Sequence, residues 1–73
     1  MDVKSIRIKT CLIIERQGQY LVAYDTVMGG PKWSQSRWDA WGTQSRRDAE
    51  RVAALVGGTL CLFNPIVGQC RAL

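Results

Sequence analysis

The sequence predicts an α+β domain in which one helix packs on a small, mainly antiparallel sheet, in the order ββαβ. Three observations predict it: a capped helical pattern over residues 45–58, a hairpin pattern before it and a short apolar strand pattern after it. The chain of 73 residues has room for a single domain, residues 1–73, with one small core. At this size most large apolar side chains are needed for stability.

The helical pattern has a start, one apolar side and a stop. Ser45 is a favourable N-cap, and Asp48 stands where the reciprocal partner of a capping box would lie. Apolar residues recur at i, i+3, i+4 and i+7: Ala49, Val52, Ala53 and Val56. Gly57 and Gly58 follow and can adopt the left-handed conformation that ends a helix. Because a helix of about three turns is marginal alone, its apolar side is expected to pack on the sheet.

The segment before the helix predicts a hairpin. Residues 5–15 are rich in β-branched residues at alternating positions, and residues 20–25 continue the strand pattern after a tight turn. Gln17 and Gly18 are the expected loop residues, with Gly18 supplying a positive φ.

The hairpin register predicts two apolar sides of the sheet. Ile14 lies opposite Leu21, and Leu12 opposite Ala23, on the side that faces the helix. The other side pairs Ile13 with Val22, Cys11 with Tyr24, and Glu15 with Tyr20. One helix cannot cover both sides, so the second needs the Trp-containing loop, another subunit or a partner as its cover.

All three tryptophans lie between the hairpin and the helix, within nine residues. A single serine-capped helical turn would place Trp38 near Trp41 at i, i+3. A short extra strand at residues 32–34 is compatible with the pattern. Since a chain this short can hardly spare three exposed indoles, Trp33, Trp38 and Trp41 are each expected in the core.

After the helix, residues 59–63 predict a short strand. Asn64 and Pro65 end it, because proline lacks a backbone donor for the ladder. Residues 69–73 add an edge strand or fray.

Composition argues against an enzyme. The chain has no histidine, so a serine or cysteine nucleophile would lack its commonest base, and no Walker-type loop is present. Cys11, Cys61 and Cys70 form no Cys-x-x-Cys pair, so neither a metal site nor a disulfide framework is predicted, and no cofactor is expected. Reduced thiols and the absence of a signal-peptide or membrane-span pattern predict a cytoplasmic protein.

Positive charge near the helix start predicts an acidic partner. Ten Lys and Arg against six Asp and Glu give a net charge of +4. Arg46 and Arg47 oppose the helix macrodipole, and local rules tend to be broken where function requires it. The expected contact residues for an acidic surface are Lys32, Arg37, Arg46, Arg47 and Arg51. The alternative is an ordinary solvated helix face on which Glu50 pairs with Arg46.

A family resemblance covers residues 19–62. The hairpin ending in Tyr-Leu-Val, the Trp33-Ser34 and Trp38-Asp-Ala-Trp41 segments, the capped helix and the following Gly-Gly-Thr-Leu resemble small accessory proteins encoded by bacteriophages and prophages. Some proteins of this size and origin are anti-CRISPR or other anti-defence inhibitors, which bind a host protein. The resemblance implies a ββαβ module acting inside a bacterial host cell, with its aromatic residues in the core. The segment between Trp41 and Ala49 is longer than usual.

We therefore expect a non-enzymatic module that binds a host protein with an acidic surface, as an inhibitor of a host defence nuclease. Tyr20, Val22 and Tyr24 are the expected apolar contact or homodimer interface. A small nucleic-acid-binding domain, using the same arginines with tryptophan stacking, is one alternative. A structural subunit of a larger assembly is another.

Overall fold

The computed structural model describes residues 10–24 and 30–73 and confirms the α+β class. In chain order its elements are β1 (Cys11–Arg16), β2 (Gln19–Ala23), β3 (Lys32–Ser34), a 3₁₀ turn (Arg37–Asp39), α1 (Arg46–Val56), β4 (Thr59–Asn64) and β5 (Gln69–Ala72). The strands form one antiparallel sheet in the order β3-β2-β1-β4-β5. The short strand near residue 33 and the C-terminal edge strand both form.

Some predicted segments extend beyond this part of the chain. Residues 5–9 of the first predicted strand and residue 25 of the second lie outside the described residues. The predicted two-residue turn is confirmed, and both Gln17 (φ 54°) and Gly18 (φ 80°) are left-handed there.

Helix α1 begins and ends where the sequence predicts. The Ser45 Oγ accepts the Asp48 N–H at 3.2 Å, and Gly57 (φ 76°) donates its N–H to the Ala53 carbonyl at 2.9 Å. All four residues of the predicted apolar side are buried. The predicted reciprocal bond of the capping box, from the Ser45 N–H to the Asp48 carboxylate, does not form. The Ser45 N–H instead donates to Thr43 Oγ1 at 3.1 Å.

The sheet has a buried cluster on each side. On the helix side, under α1, the cluster consists of Ile14, Leu21, Val52, Ala53 and Val56. On the turn side, under the 3₁₀ turn, it consists of Ile13, Ala40, Cys61 and Phe63. Ala40, which directly follows the turn, is only 1% exposed. The Trp-containing loop therefore covers part of the second side, which is one of the predicted covers.

The chain passes from the turn side to the helix side between β1 and β2. These strands pair at Glu15–Tyr20 beside their turn, as predicted. Farther along, Leu12 exchanges two backbone hydrogen bonds with Thr43, at 2.8 and 3.0 Å. The predicted pairing of Leu12 with Ala23 is therefore wrong, because residues 41–43 occupy the space between the strands.

Candidate interaction surface

The described residues contain no cluster of side chains suited to a metal ion. Across residues 10–24 and 30–73, no three or more His, Cys, Asp or Glu side chains are arranged to hold a metal ion. In the same ranges, no helix has the length and apolar character needed to cross a membrane. What these residues do present is charged and apolar surface.

The arginines of α1 form exposed ion pairs along the helix. Arg46 Nε lies 3.2 Å from Glu50 Oε2, and Arg51 Nη2 lies 4.0 Å from Asp48 Oδ1. Such pairs contribute about 0.3–0.5 kcal/mol each. Within the described part of the chain Arg47 has no ion-pair partner. The Arg46–Glu50 pair of the solvated-face alternative is therefore present, whereas Arg47 is exposed and has no such pair with any described residue.

Lys32 and Arg37 lie apart from these arginines. Lys32 is exposed on the edge strand β3. Arg37 is half-buried on the turn side, where its positive charge opposes the rise in the pKa of the Cys70 thiol. Its Nε atom is buried and has no hydrogen-bond partner among the described residues. Of the five predicted basic residues, three thus lie on α1, one on the edge strand β3 and one on the turn side. Their part in binding stays a prediction.

The predicted apolar contact is divided as well. A β-bulge at Val22 interrupts the pairing of β2 with β3, because the two-residue step from Leu21 to Ala23 matches a one-residue step in β3. Beyond the bulge the alternation changes phase, so Tyr20 packs on the turn-side cluster and Tyr24 on the helix-side cluster. The expectation that Tyr20, Val22 and Tyr24 share one side is wrong. Their part in binding stays a prediction.

The three tryptophans differ in exposure. Trp33 and Trp41 are half-buried against the helix-side cluster, where Trp41 meets Tyr24 edge to face at 5.3 Å between ring centroids. Trp38 meets Phe63 edge to face at 5.1 Å on the turn side, yet it is 54% exposed. The core prediction is wrong for Trp38. So is its predicted place beside Trp41, since the chain crosses the sheet between them.

An exposed apolar turn lies beside Trp38. Ile66 and Val67, in the turn between β4 and β5, are 73% and 65% exposed. Gly68, in the same turn, packs so closely that a Cβ there would lie 3.3 Å from Trp38 Cζ2. We define the Trp38 surface as Trp38, Ile66, Val67 and Arg37, which directly precedes Trp38 in the chain. In the sequence, this surface is indicated by the apolar pair Ile66 and Val67 between Pro65 and Gly68. An apolar run of two residues in a turn is too short to reach the core.

The three thiols share the turn side. Cys11 and Cys70 flank Phe63 on the neighbouring strands β1 and β5. Burial, reinforced by the Cys70 thiol, raises the pKa of Cys61 to about 12. Burial also raises the pKa of Cys70, against the opposing effects of its hydrogen bond with Cys61 and of the Arg37 charge. Cys61 and Cys70 are therefore protonated at neutral pH.

Arg16 is the last residue of β1, at the end of the strand opposite Cys11. Its Nη1 donates to the carbonyl of Val56, the last residue of α1, at 3.3 Å. Its guanidinium carbon lies 5.8 Å from a ring centroid of Trp33. A cation at this position complements the negative end of the helix dipole. Arg16 thus holds the end of α1 to the sheet.

No protein-family model, no curated protein and no solved structure matches this chain.

Proposed function

We propose that the protein is a non-enzymatic interaction module that binds a protein partner through the Trp38 surface. The observation that carries the proposal is Trp38 itself. Its ring is fixed edge to face against fully buried Phe63, while 54% of the residue remains accessible. A small domain gains stability from burying indoles, and tryptophans held in place at a surface are typical anchors of protein interfaces.

The neighbours of Trp38 have the composition of an interface. Ile66 and Val67 supply apolar area, and Arg37 supplies a guanidinium at its margin. Aromatic residues and arginine are enriched in the centres of protein interfaces. A partner carboxylate beside Arg37 would accept hydrogen bonds from the guanidinium, which agrees with the net charge of +4.

The pattern resemblance to phage and prophage accessory proteins supports a narrower form of this proposal. The partner is then a host protein with an acidic surface, and binding inhibits a host defence nuclease. Exposed Arg47 on α1 is a second contact for a partner large enough to reach both sides of the domain.

Surface variants test the proposal without disturbing the core. Partner proteins captured from a bacterial host lysate are identified by mass spectrometry, and their affinity for each variant is measured by calorimetry. Ile66→Ser and Val67→Ser are expected to weaken binding about tenfold or more, as for residues at an interface. Leu55→Ser is the matched control, because Leu55 is 68% exposed on α1, on the other side of the sheet. Equal affinity for all three variants would refute the proposal.

A nucleic-acid-binding domain is the second candidate. An exposed indole beside a guanidinium can also stack a base next to a phosphate. In that case the affinity falls by orders of magnitude between about 50 and 200 mM salt. The pairing of Arg46 with Glu50 and of Arg51 with Asp48 leaves fewer cations for phosphates, which favours the protein partner.

A further inference from the structure

The two edges of the sheet differ in their protection against strand addition. Strand β3 has three residues, follows Pro31 and pairs with a bulged strand, and each of these features hinders the addition of another strand. Strand β5 has four residues, contains no proline and pairs with β4 in an unbroken register. In the described part of the chain no strand lies outside β5. It is the open edge.

The backbone of β5 directs hydrogen-bonding groups outward. The Leu73 N–H donates to the Leu60 carbonyl on β4 at 3.1 Å. In an antiparallel ladder, residues two apart direct their backbone groups to the same neighbour. The backbone N–H and carbonyl of Arg71 therefore face β4 as well. Those of Cys70 and Ala72 point away from β4. These two residues offer two donors and two acceptors to a further strand.

A second copy of this chain suits the edge poorly. Two β5 strands could pair antiparallel with Cys70 of one chain opposite Ala72 of the other. In this register every outward backbone group would form a hydrogen bond. That register places Arg71 directly opposite the same residue of the second chain, at the closest spacing in the ladder. Like charges at this position repel, and each chain already carries a net charge of +4. The same position suits a carboxylate.

We propose that β5 receives an extended acidic segment of a partner protein as a sixth strand. Its backbone hydrogen-bonds to Cys70 and Ala72, and one of its carboxylates lies opposite Arg71. This inference rests on the proposed function and names how the partner docks. The edge is continuous with the Trp38 surface, because Gly68, which packs on Trp38, directly precedes β5. A partner can thus engage the edge and the indole together.

Synthetic strand peptides test the edge in the absence of the partner. The probe is a seven-residue peptide of alternating valine and threonine with a central glutamate, and the matched probe has a central lysine. Each is titrated into the full ¹⁵N-labelled chain and followed by NMR. The glutamate peptide is expected to shift the amide signals of Cys70 and Ala72 and to slow their hydrogen exchange. The lysine peptide is expected to bind about tenfold more weakly, since its charge opposes Arg71.

Two variants separate backbone pairing from charge. Ala72→Pro removes an outward N–H while leaving the bonds to β4 intact, so the chain stays folded and the peptide no longer binds. Arg71→Glu is expected to reverse the preference, so that the lysine peptide binds more tightly. Arg51→Glu, with the same charge change on exposed α1, is the control and retains the wild-type preference.

Each unexpected outcome is decisive. The inference is overturned if the peptide does not bind, or if it binds Ala72→Pro and Arg71→Glu as it binds the wild type. Signals of Cys70 and Ala72 that move with protein concentration alone would assign the edge to a second copy and overturn it too. A captured partner whose binding requires Val67 but tolerates Ala72→Pro refutes this inference alone. Peptide binding at β5 together with partner binding that ignores Val67→Ser refutes the Trp38 surface alone.

Discussion

Replacing Gly58 by alanine is expected to destabilise the domain by about 1–3 kcal/mol through overpacking. A Cβ at this position would overlap Cγ2 of Ile14 and lie 3.2 Å from the carbonyl oxygen of Glu15. Ile14 is fully buried and β-branched, so its Cγ2 methyl group can move away only by changing a restricted χ1 angle inside the core. The Glu15 carbonyl belongs to the backbone of β1, which cannot shift without disturbing the sheet.

The adjacent Gly57 provides a matched control with a different mechanism. Its φ is 76°, and a Cβ there would meet nothing within 4 Å. Gly57→Ala is therefore expected to cost about 1–2 kcal/mol through the left-handed backbone alone. Gly57→Asn should recover part of this loss, because asparagine tolerates that conformation. Gly58→Asn should recover nothing, since the overlap with Ile14 persists.

Urea unfolding followed by tryptophan fluorescence measures these differences. A double-mutant cycle with Ile14→Leu isolates the overlap, because leucine has no Cγ2 atom. In that background the cost of Gly58→Ala should fall, with a coupling energy of about 0.5–3 kcal/mol as for residues in contact. Gly58→Ala at wild-type stability, or a coupling energy of zero, would refute the steric explanation.

Three further predictions concern stability. Arg16→Met should lower the unfolding free energy by about 1 kcal/mol, because it loses the hydrogen bond to the Val56 carbonyl and the contact with Trp33. In calorimetry, the stability of Arg16→Lys should lie between those of Arg16→Met and the wild type. Ser45→Ala should cost about 1 kcal/mol in urea unfolding, and Ser45→Asp, which keeps an N-cap acceptor, much less. The Cys61 thiol, with its raised pKa, contributes stability below the ordinary value of 9.0 that is lost as the pH rises towards about 12, because the unfolded chain ionises first. Between about pH 8 and pH 10, the melting temperature of Cys61→Ala should therefore fall less than that of the wild type.

The helix was predictable because its signals are local. Ser45, the four-residue apolar side and Gly57 lie within one short segment, and each acts through contacts a few residues apart. The hairpin turn at Gln17 and Gly18 was predictable for the same reason. The candidate surface was not. The exposed pair Ile66 and Val67 has a recognisable signal in its turn, but nothing in the sequence places Trp38 beside it.

By itself, the sequence determined that α1, the first hairpin and the strand after the helix would form, since capping, turn conformation and alternation act over a few residues. Only the tertiary structure decided the side on which each aromatic residue lies. Tyr24 changes side at the bulge of β2, and Trp38 separates from Trp41 where residues 41–43 pass between β1 and β2. Both features depend on backbone hydrogen bonds between segments that are distant in sequence, such as that of Leu12 with Thr43, and on no local preference of the residues involved.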